Sequence, residues 1–377
     1  MMNTCKILFV IPSLSGGGAE RFLTKILRNI DRKMFDIQLA IGKREGPFLK
    51  LIPDDIPLYE LGASRTRYAI PALWHLVRRI KPNILFATLG LNMACAIVKQ
   101  LMKDAPKLVV RVATYPTFNS MSSHPIITNQ VQKFSYSKSD RIIALTEKMK
   151  RRLCELYNIP HSKVRVICNP IDIEDVKAQA CQPVDHSWFS ENIPIVIGAG
   201  RLAPQKGFAT LLRAFNIVRR EIHARLVILG EGKERSILEA LSKKLTIQDD
   251  CLFPGFQLNP YSYIARATVF VLSSYWEGFP NVLLEAMACG TPVIATRCDS
   301  GPEEILDHEV NGLLVPIGGE QALAKSMIRI LEDAELRNCL RKNARVRLKD
   351  FEIGRIMHAY EYEFCQLLEE NYDKSVN

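Results

Sequence analysis

The sequence predicts an α/β protein of two doubly wound domains, each a parallel sheet covered by helices on both faces. Three observations predict it. Short β-branched runs alternate with helical stretches along the whole chain. Those runs are almost continuously apolar, as strands buried on both faces must be. And 377 residues exceed what one hydrophobic core usually serves, so two cores are expected.

Taken in order, the first series of strands is expected at residues 7–11, 37–41, 84–88, 108–112, 141–145 and 164–168. A second series is expected at 195–200, 224–229, 252–254, 269–273, 292–295 and 312–315. Between them, "NPIDIEDVKAQACQPVDHSW" (169–188) carries prolines and acids without a clear period and marks the junction. The expected division is therefore 1–180 and 181–353, with 354–377 as a C-terminal segment. A helix over about 354–370 places Ile356, Tyr360, Phe364 and Leu367/Leu368 on one stripe. The pattern leaves open which domain that stripe covers, a return to the first included. In open sheets of this kind ligands bind beyond the carboxyl ends of the strands.

Composition narrows the class. Hydrophobic content of 47% and charged content of 24% are those of a soluble globular protein. The ten cysteines form no Cys-x-x-Cys pair and no His-rich cluster accompanies them, against a zinc site or a disulfide framework and for reduced thiols. The opening "MMNTCKILFVIPSLSGGG" breaks its apolar run at Pro12, which suits a first strand better than a signal peptide. No run reaches the roughly 18 apolar residues of a membrane span. The expected location is the cytoplasm, including the cytosolic face of the inner membrane.

Charge is uneven. Residues 1–180 hold 28 of the 50 basic and 14 of the 40 acidic residues, a net of +14, and the remainder nets −4. In the first half, "SRTRYAIPALWHLVRRIKP" (64–82) sets Arg65, Arg67, Arg78, Arg79 and Lys81 around Tyr68, Leu73, Trp74 and Val77, and "KMKRRL" (148–153) adds four cations. Basic charge interleaved with aromatics suits an anionic membrane surface. No nucleic-acid-binding motif accompanies it.

Three motifs carry chemistry. In "YWEGFPNVLLEAMACG" (275–290) a loop enters a helix through Gly278, Phe279, Pro280 and Asn281, so free N–H groups and a dipole's positive end meet at a sheet rim. Glu277 precedes that helix and Glu285 lies just over one turn inside it. An ionised carboxylate accepts from two neighbouring hydroxyls, so these acids suit the sugar rings at either end of a diphosphate. In "IGAGRLAPQKGF" (197–208) a strand leads into a loop with Arg201, able to fork two phosphate oxygens, and Lys206, a point charge. In "PSLSGGGAERFL" (12–23) the glycines Gly16, Gly17 and Gly18 allow close approach to an anion, although the spacing is neither a dinucleotide fingerprint nor a Walker loop. "DIED" (172–175) could pass for a metal site but falls in the junction, and no metal or cofactor is expected.

In that order "GGGAER", "NPID", "GAGRLAPQKGF", "LGEG", "FPGF", "EGFPNVLLEAMACGTPVIAT" and "SGPEEIL" resemble the retaining glycosyltransferases of family 4, with their GT-B architecture of two Rossmann-like domains facing a cleft. Among these the chain is similar to bacterial enzymes of surface-polysaccharide and lipid-linked-oligosaccharide synthesis. The resemblance implies a UDP-linked hexose or N-acetylhexosamine donor, a lipid-linked or lipopolysaccharide-type acceptor, and no metal. It places Glu277 on the donor sugar, Glu285 on the ribose, and Arg201 and Lys206 on the diphosphate as the charges that drive departure. Gly278, Phe279, Pro280 and Asn281 fall at the distal phosphate and sugar, Gly255 and Phe256 at the base. Gly17 and Gly18 would meet the donor, and Gly16 the acceptor. One departure stands out. Many relatives carry a histidine just after a first-domain strand, where this chain reads Val112 and Ala113, leaving Arg111 or His124 to compensate. No carboxylate is placed as a nucleophile, so the resemblance implies front-face substitution with retention. A sugar-nucleotide epimerase on the same architecture, or a non-catalytic sugar-nucleotide-binding partner, would share the phosphate grip. The first would need acid/base groups on the sugar, and the second would not need the full set of charges.

Overall fold

The computed structural model describes residues 4–15, 17–63, 66–116 and 125–375. Contacts divide the chain into two compact units, Met1–Pro170 with Ile353–Asn377, and Ile171–Glu352.

The first unit holds seven parallel strands: β1 Cys5–Ile11, β2 Phe35–Ile41, β3 Leu58–Glu60, β4 Ile84–Thr88, β5 Lys107–Arg111, β6 Arg141–Ala144 and β7 Val164–Val166. They lie in the order β3-β2-β1-β4-β5-β6-β7, with the order reversing between β1 and β4. β3 is the strand that the pattern did not predict. It is a three-residue edge strand, only partly covered, and it ends on the exposed Glu60. The Gly18–Asn29 helix buries Phe22, Leu23, Ile26 and Leu27 on one stripe, as an amphipathic helix on a sheet must. The Ile353–Ser375 helix completes the same core. Tyr360 and Phe364 are fully buried, with ring centroids 5.6 Å (Tyr360 to Phe22), 6.0 Å (Phe364 to Phe35) and 6.0 Å (Phe364 to Phe86) apart.

The second unit has six parallel strands: β8 Ile195–Ala199, β9 Arg225–Leu229, β10 Cys251–Gly255, β11 Val269–Leu272, β12 Val293–Thr296 and β13 Leu313–Val315. Their order, β10-β9-β8-β11-β12-β13, reverses between β8 and β11. Phe208, Leu211, Leu212 and Phe215 of the Phe208–Val218 helix, and Leu323, Met327 and Ile330 of the Glu320–Glu332 helix, cover one face of that sheet.

The junction stretch is more ordered than its lack of period suggested. Unit two begins at Ile171, ten residues before the expected start at 181, because 173–180 is a helix rather than a linker. Asp172 caps it by accepting from the Asp175 N–H at 3.0 Å, and Asp175 in turn accepts from Gln179 at 2.8 Å. Ile171 also pairs with Glu352, and its N–H donates to Phe351 O at 2.7 Å, so the unit's first and last residues lie side by side.

Candidate functional site

In the second unit the loops that follow β8 and β11 meet where the strand order reverses, the place where open α/β sheets take ligands. Gly207 makes their close approach possible. It sits at φ +61°, and a Cβ there would lie 2.2 Å from Ser273 O, so only glycine fits. Hydrogen bonds then stitch the loops together: Tyr275 N–H to Gln205 O (2.8 Å), Gln205 Nε2 to Trp276 O (2.8 Å), and Ser273 Oγ to Lys206 O (2.9 Å).

This fastening brings two expected residues into contact. Lys206 Nζ donates to Glu277 Oε1 at 2.6 Å, and Ser274 Oγ donates to the same oxygen at 2.6 Å. Glu277 is 6% exposed and Ser274 fully buried, so the carboxylate sits in a charge-assisted clasp at the sheet rim. Arg201 leaves the same loop with its side chain exposed and forms no ion pair among the described residues.

Across the rim, the Asn281–Ala288 helix starts after Pro280. The Asn281 N–H turns back to Phe279 O (3.0 Å) and the Leu283 N–H to Pro280 O (2.9 Å), whereas the N–H groups of Gly278 and Phe279 have no acceptor among the described residues. The donors available at this helix start are thus fewer than four, from Gly278 and Phe279 of its entry loop and Val282 of its first turn. A second loop braces that entry. Ser300 Oγ donates to Gly278 O at 3.1 Å, and Gly301, at φ +89°, comes so close that a Cβ would lie 2.4 Å from Pro280 Cδ. Glu285 is 5% exposed and accepts from the buried Tyr261 hydroxyl at 3.3 Å. Gly255 ends β10 at φ +80° beside the Glu231 carboxylate, and Phe256, which follows it, is 46% exposed. Two cysteines flank the acids. Burial, then Glu277, pushes the Cys298 thiol up to about 12, and burial, then Glu285, does the same at Cys289.

Sequence reasoning missed Ser274, Tyr261 and Ser300. Ser274 had a signal, a hydroxyl closing the apolar run "VFVLSS" where a strand reaches the ligand rim. Tyr261 and Ser300 had none, because their contacts span 24 and 22 residues.

The first-unit residues divide differently. Gly17 precedes the Gly18–Asn29 helix, and Glu20 folds back so that its Oε2 lies 2.5 Å from where a Gly17 Cβ would stand. Arg111 is not at a surface where an acceptor could touch it: it is 1% exposed, donates to Asn169 Oδ1, and lies 3.7 Å from the Phe22 ring centroid. Burial lowers its guanidinium below the usual arginine range, while Tyr360 and Glu20 oppose the shift. β5 ends in an apolar layer, and its last side chain, the Arg111 expected at the acceptor, is a buried cation in this structure. Gly16, His124 and Arg65 lie outside the described residues. On the Thr66–Ile80 helix, Arg78 stacks on Trp74 (4.6 Å) and Arg67 on the exposed Tyr68 (4.9 Å). Among the described residues no helix is long and apolar enough to cross a membrane.

Comparison with known proteins gives the family. The family model described as "Glycosyltransferase Family 4" matches residues 16–175, and that described as "Glycosyl transferases group 1" matches 186–347. The chain is 30% identical to the lipopolysaccharide core biosynthesis glycosyltransferase LpsE of Rhizobium meliloti, covering 86% of this chain and 88% of the relative. The chain is a family 4 glycosyltransferase. A second relative, 28% identical over 92% of this chain and 96% of its own, is the N-acetylgalactosamine-N,N'-diacetylbacillosaminyl-diphospho-undecaprenol 4-alpha-N-acetylgalactosaminyltransferase of Campylobacter jejuni. Among solved structures, Anabaena HepE in complex with UDP matches at TM-score 0.81 and 20% identity, covering 96% of this chain and all of that one. The glycosyltransferase therefore has the GT-B fold, two Rossmann-like units with seven and six parallel strands.

Proposed function

We propose that this glycosyltransferase moves a hexosyl or N-acetylhexosaminyl group from a UDP-linked donor, with retention, to a lipid-linked oligosaccharide or lipopolysaccharide-type acceptor at an anionic membrane surface. One observation carries the donor half: Lys206, Glu277 and the entry N–H groups of Gly278 and Phe279 converge where the second sheet's strand order reverses, with Arg201 exposed on the same loop. Arg201 and Lys206 take the diphosphate, Glu277 the sugar hydroxyls, Glu285 the ribose, and Gly255 and Phe256 the base. As the bond from the anomeric carbon to the diphosphate oxygen breaks, charge builds on the leaving group, and fixed cations and N–H dipoles stabilise it without reorganising. The departing diphosphate takes the acceptor hydroxyl's proton on the same face, which retains configuration. These residues supply the positive charge that a metal would otherwise bring, and of the acidic motif Asp172 is engaged in capping its helix and Asp175 in accepting from Gln179. Transfer is thus proposed to be metal-independent.

The acceptor half draws on the relatives' lipid-linked and lipopolysaccharide substrates and on the first unit's arginines stacked on the exposed Tyr68 and the half-buried Trp74. The test is incubation of the enzyme, in EDTA, with UDP-glucose, UDP-galactose, UDP-N-acetylglucosamine or UDP-N-acetylgalactosamine and undecaprenyl-diphosphate-linked or lipopolysaccharide-core acceptors. Mass spectrometry reads transfer and NMR the anomeric configuration. An α-linked product from an α-linked donor is expected. A β-linked product, or transfer only after a divalent metal is restored, overturns the corresponding part. Interconversion of a UDP-sugar without acceptor would point to an epimerase instead.

A further inference from the structure

We propose that Ser274 is a positioning residue for the donor sugar, acting through Glu277. The proposal rests on the donor reading above, which assigns Lys206 to the diphosphate and Glu277 to the sugar. The two residues are now bonded to each other, both donors to Glu277 meeting on a single oxygen, Oε1. A lysine that turns toward a diphosphate carrying two negative charges weakens its hold on that oxygen. A carboxylate 6% exposed cannot then be left without a donor, because burying an uncompensated charge is costly. Ser274 is the donor that stays. Its backbone is fixed independently: Thr296 Oγ1, at the end of β12, donates to Ser274 O. Its hydroxyl is completely buried two residues beyond β11 and cannot follow Lys206 outward. The serine therefore keeps Oε1 occupied and leaves Oε2 as the acceptor for a sugar hydroxyl. Its effect should fall on the sugar and not on the nucleotide.

That asymmetry separates positioning from mere structure. Calorimetry would compare UDP with the UDP-sugar that the parent hydrolyses most readily without acceptor, on the parent and on Ser274→Ala. Loss of a hydrogen bond to a charged group predicts about tenfold weaker binding of the UDP-sugar, with UDP binding within about twofold of the parent. Retained UDP binding also shows that the variant is folded. In donor hydrolysis KM should rise and kcat should fall, since a mobile Glu277 orients the sugar less often. Ser274→Ala binding the UDP-sugar as tightly as the parent overturns the proposal, and so does equal loss of UDP and UDP-sugar. A parent that binds neither UDP nor any UDP-sugar overturns the donor reading itself, a result visible before any variant is made.

Discussion

Lys206 and Glu277, 71 residues apart in sequence, close a salt bridge of 2.6 Å across the ends of β8 and β11, with both side chains mostly covered. The pair joins the cation proposed for the diphosphate to the acid proposed for the sugar. In the absence of a nucleotide each satisfies the other, which keeps a buried acid and a tethered cation compatible with folding. On the proposed donor reading, binding exchanges one set of charge partners for another.

Replacement of Lys206 should therefore act twice. Lys206→Met removes a donor to the leaving group, and turnover should fall about 10²–10³-fold. It also leaves Glu277 with Ser274 as its donor, which should lower stability by about 1–3 kcal/mol. The double variant Lys206→Met/Glu277→Gln removes both charges and should regain most of that stability without regaining activity. Urea unfolding and turnover of the four proteins close the cycle. Additive stability losses would show that the pair contributes nothing to the fold.

Glu277→Gln alone should separate nucleotide from sugar. Without its counter-charge Lys206 is free to meet phosphate, so UDP should bind at least as tightly as to the parent. Sugar orientation is lost, and turnover should fall by at least about 10²-fold. Calorimetry with UDP beside turnover measures both, and weaker UDP binding would contradict the exchange of partners.

The strands and the rim were legible because both rest on local signals. Near-continuous apolar runs located twelve of the thirteen strands, and β3 escaped since Leu58–Glu60 has no run to read. Glu277, Arg201 and Lys206 stood out because charge just after a strand has few structural uses. The burial of Arg111, named from the sequence only as a stand-in for the missing histidine, had no local signal, because the Tyr360 helix returns from 249 residues later to cover it against Phe22. The contacts of Ser274 to Glu277 are local, yet their partner Lys206 arrives only through the parallel crossover.

The thiols beside the acids give a pH prediction. Cys298 and Cys289 have folded pKa values raised to about 12, above the ordinary thiol value of 9.0. A raised value means that the folded state holds its proton longer, so this contribution is intact below pH 9 and is lost as pH climbs toward 12. Stability should decline across that window. At pH 8 iodoacetamide should label the exposed Cys181 and Cys339 first and spare the buried Cys298 until the chain unfolds. Peptide mass spectrometry reads the order, and early labelling of Cys298 would contradict its burial.

The C-terminal helix should be a stability element of the first unit. Phe364 is 1% exposed and meets Phe35, Phe86 and Tyr360 edge-on or tilted. Phe364→Ala should cost about 3–5 kcal/mol, the range for a large aromatic leaving a packed core. With two units, unfolding need not be one transition, so the loss should appear in the step whose amide protection maps to β1, β2 and β4. An effect confined to the second sheet would place the helix wrongly.

Gly207 offers the most direct test of how the site is assembled. Its φ of +61° is unfavourable for alanine, and the added Cβ would stand 2.2 Å from Ser273 O, which has no flexible end to swing away. The loops after β8 and β11 must then part. Arg201 and Lys206 would stay in the chain but not in register with Glu277. Gly207→Ala should accordingly weaken UDP binding by at least about tenfold although no charged residue has changed, since preorganised donors lose their effect when displaced by an ångström. Near-normal UDP affinity in this variant, measured by calorimetry on folded protein, would mean that the two loops bind nucleotide independently and that their close packing serves another end.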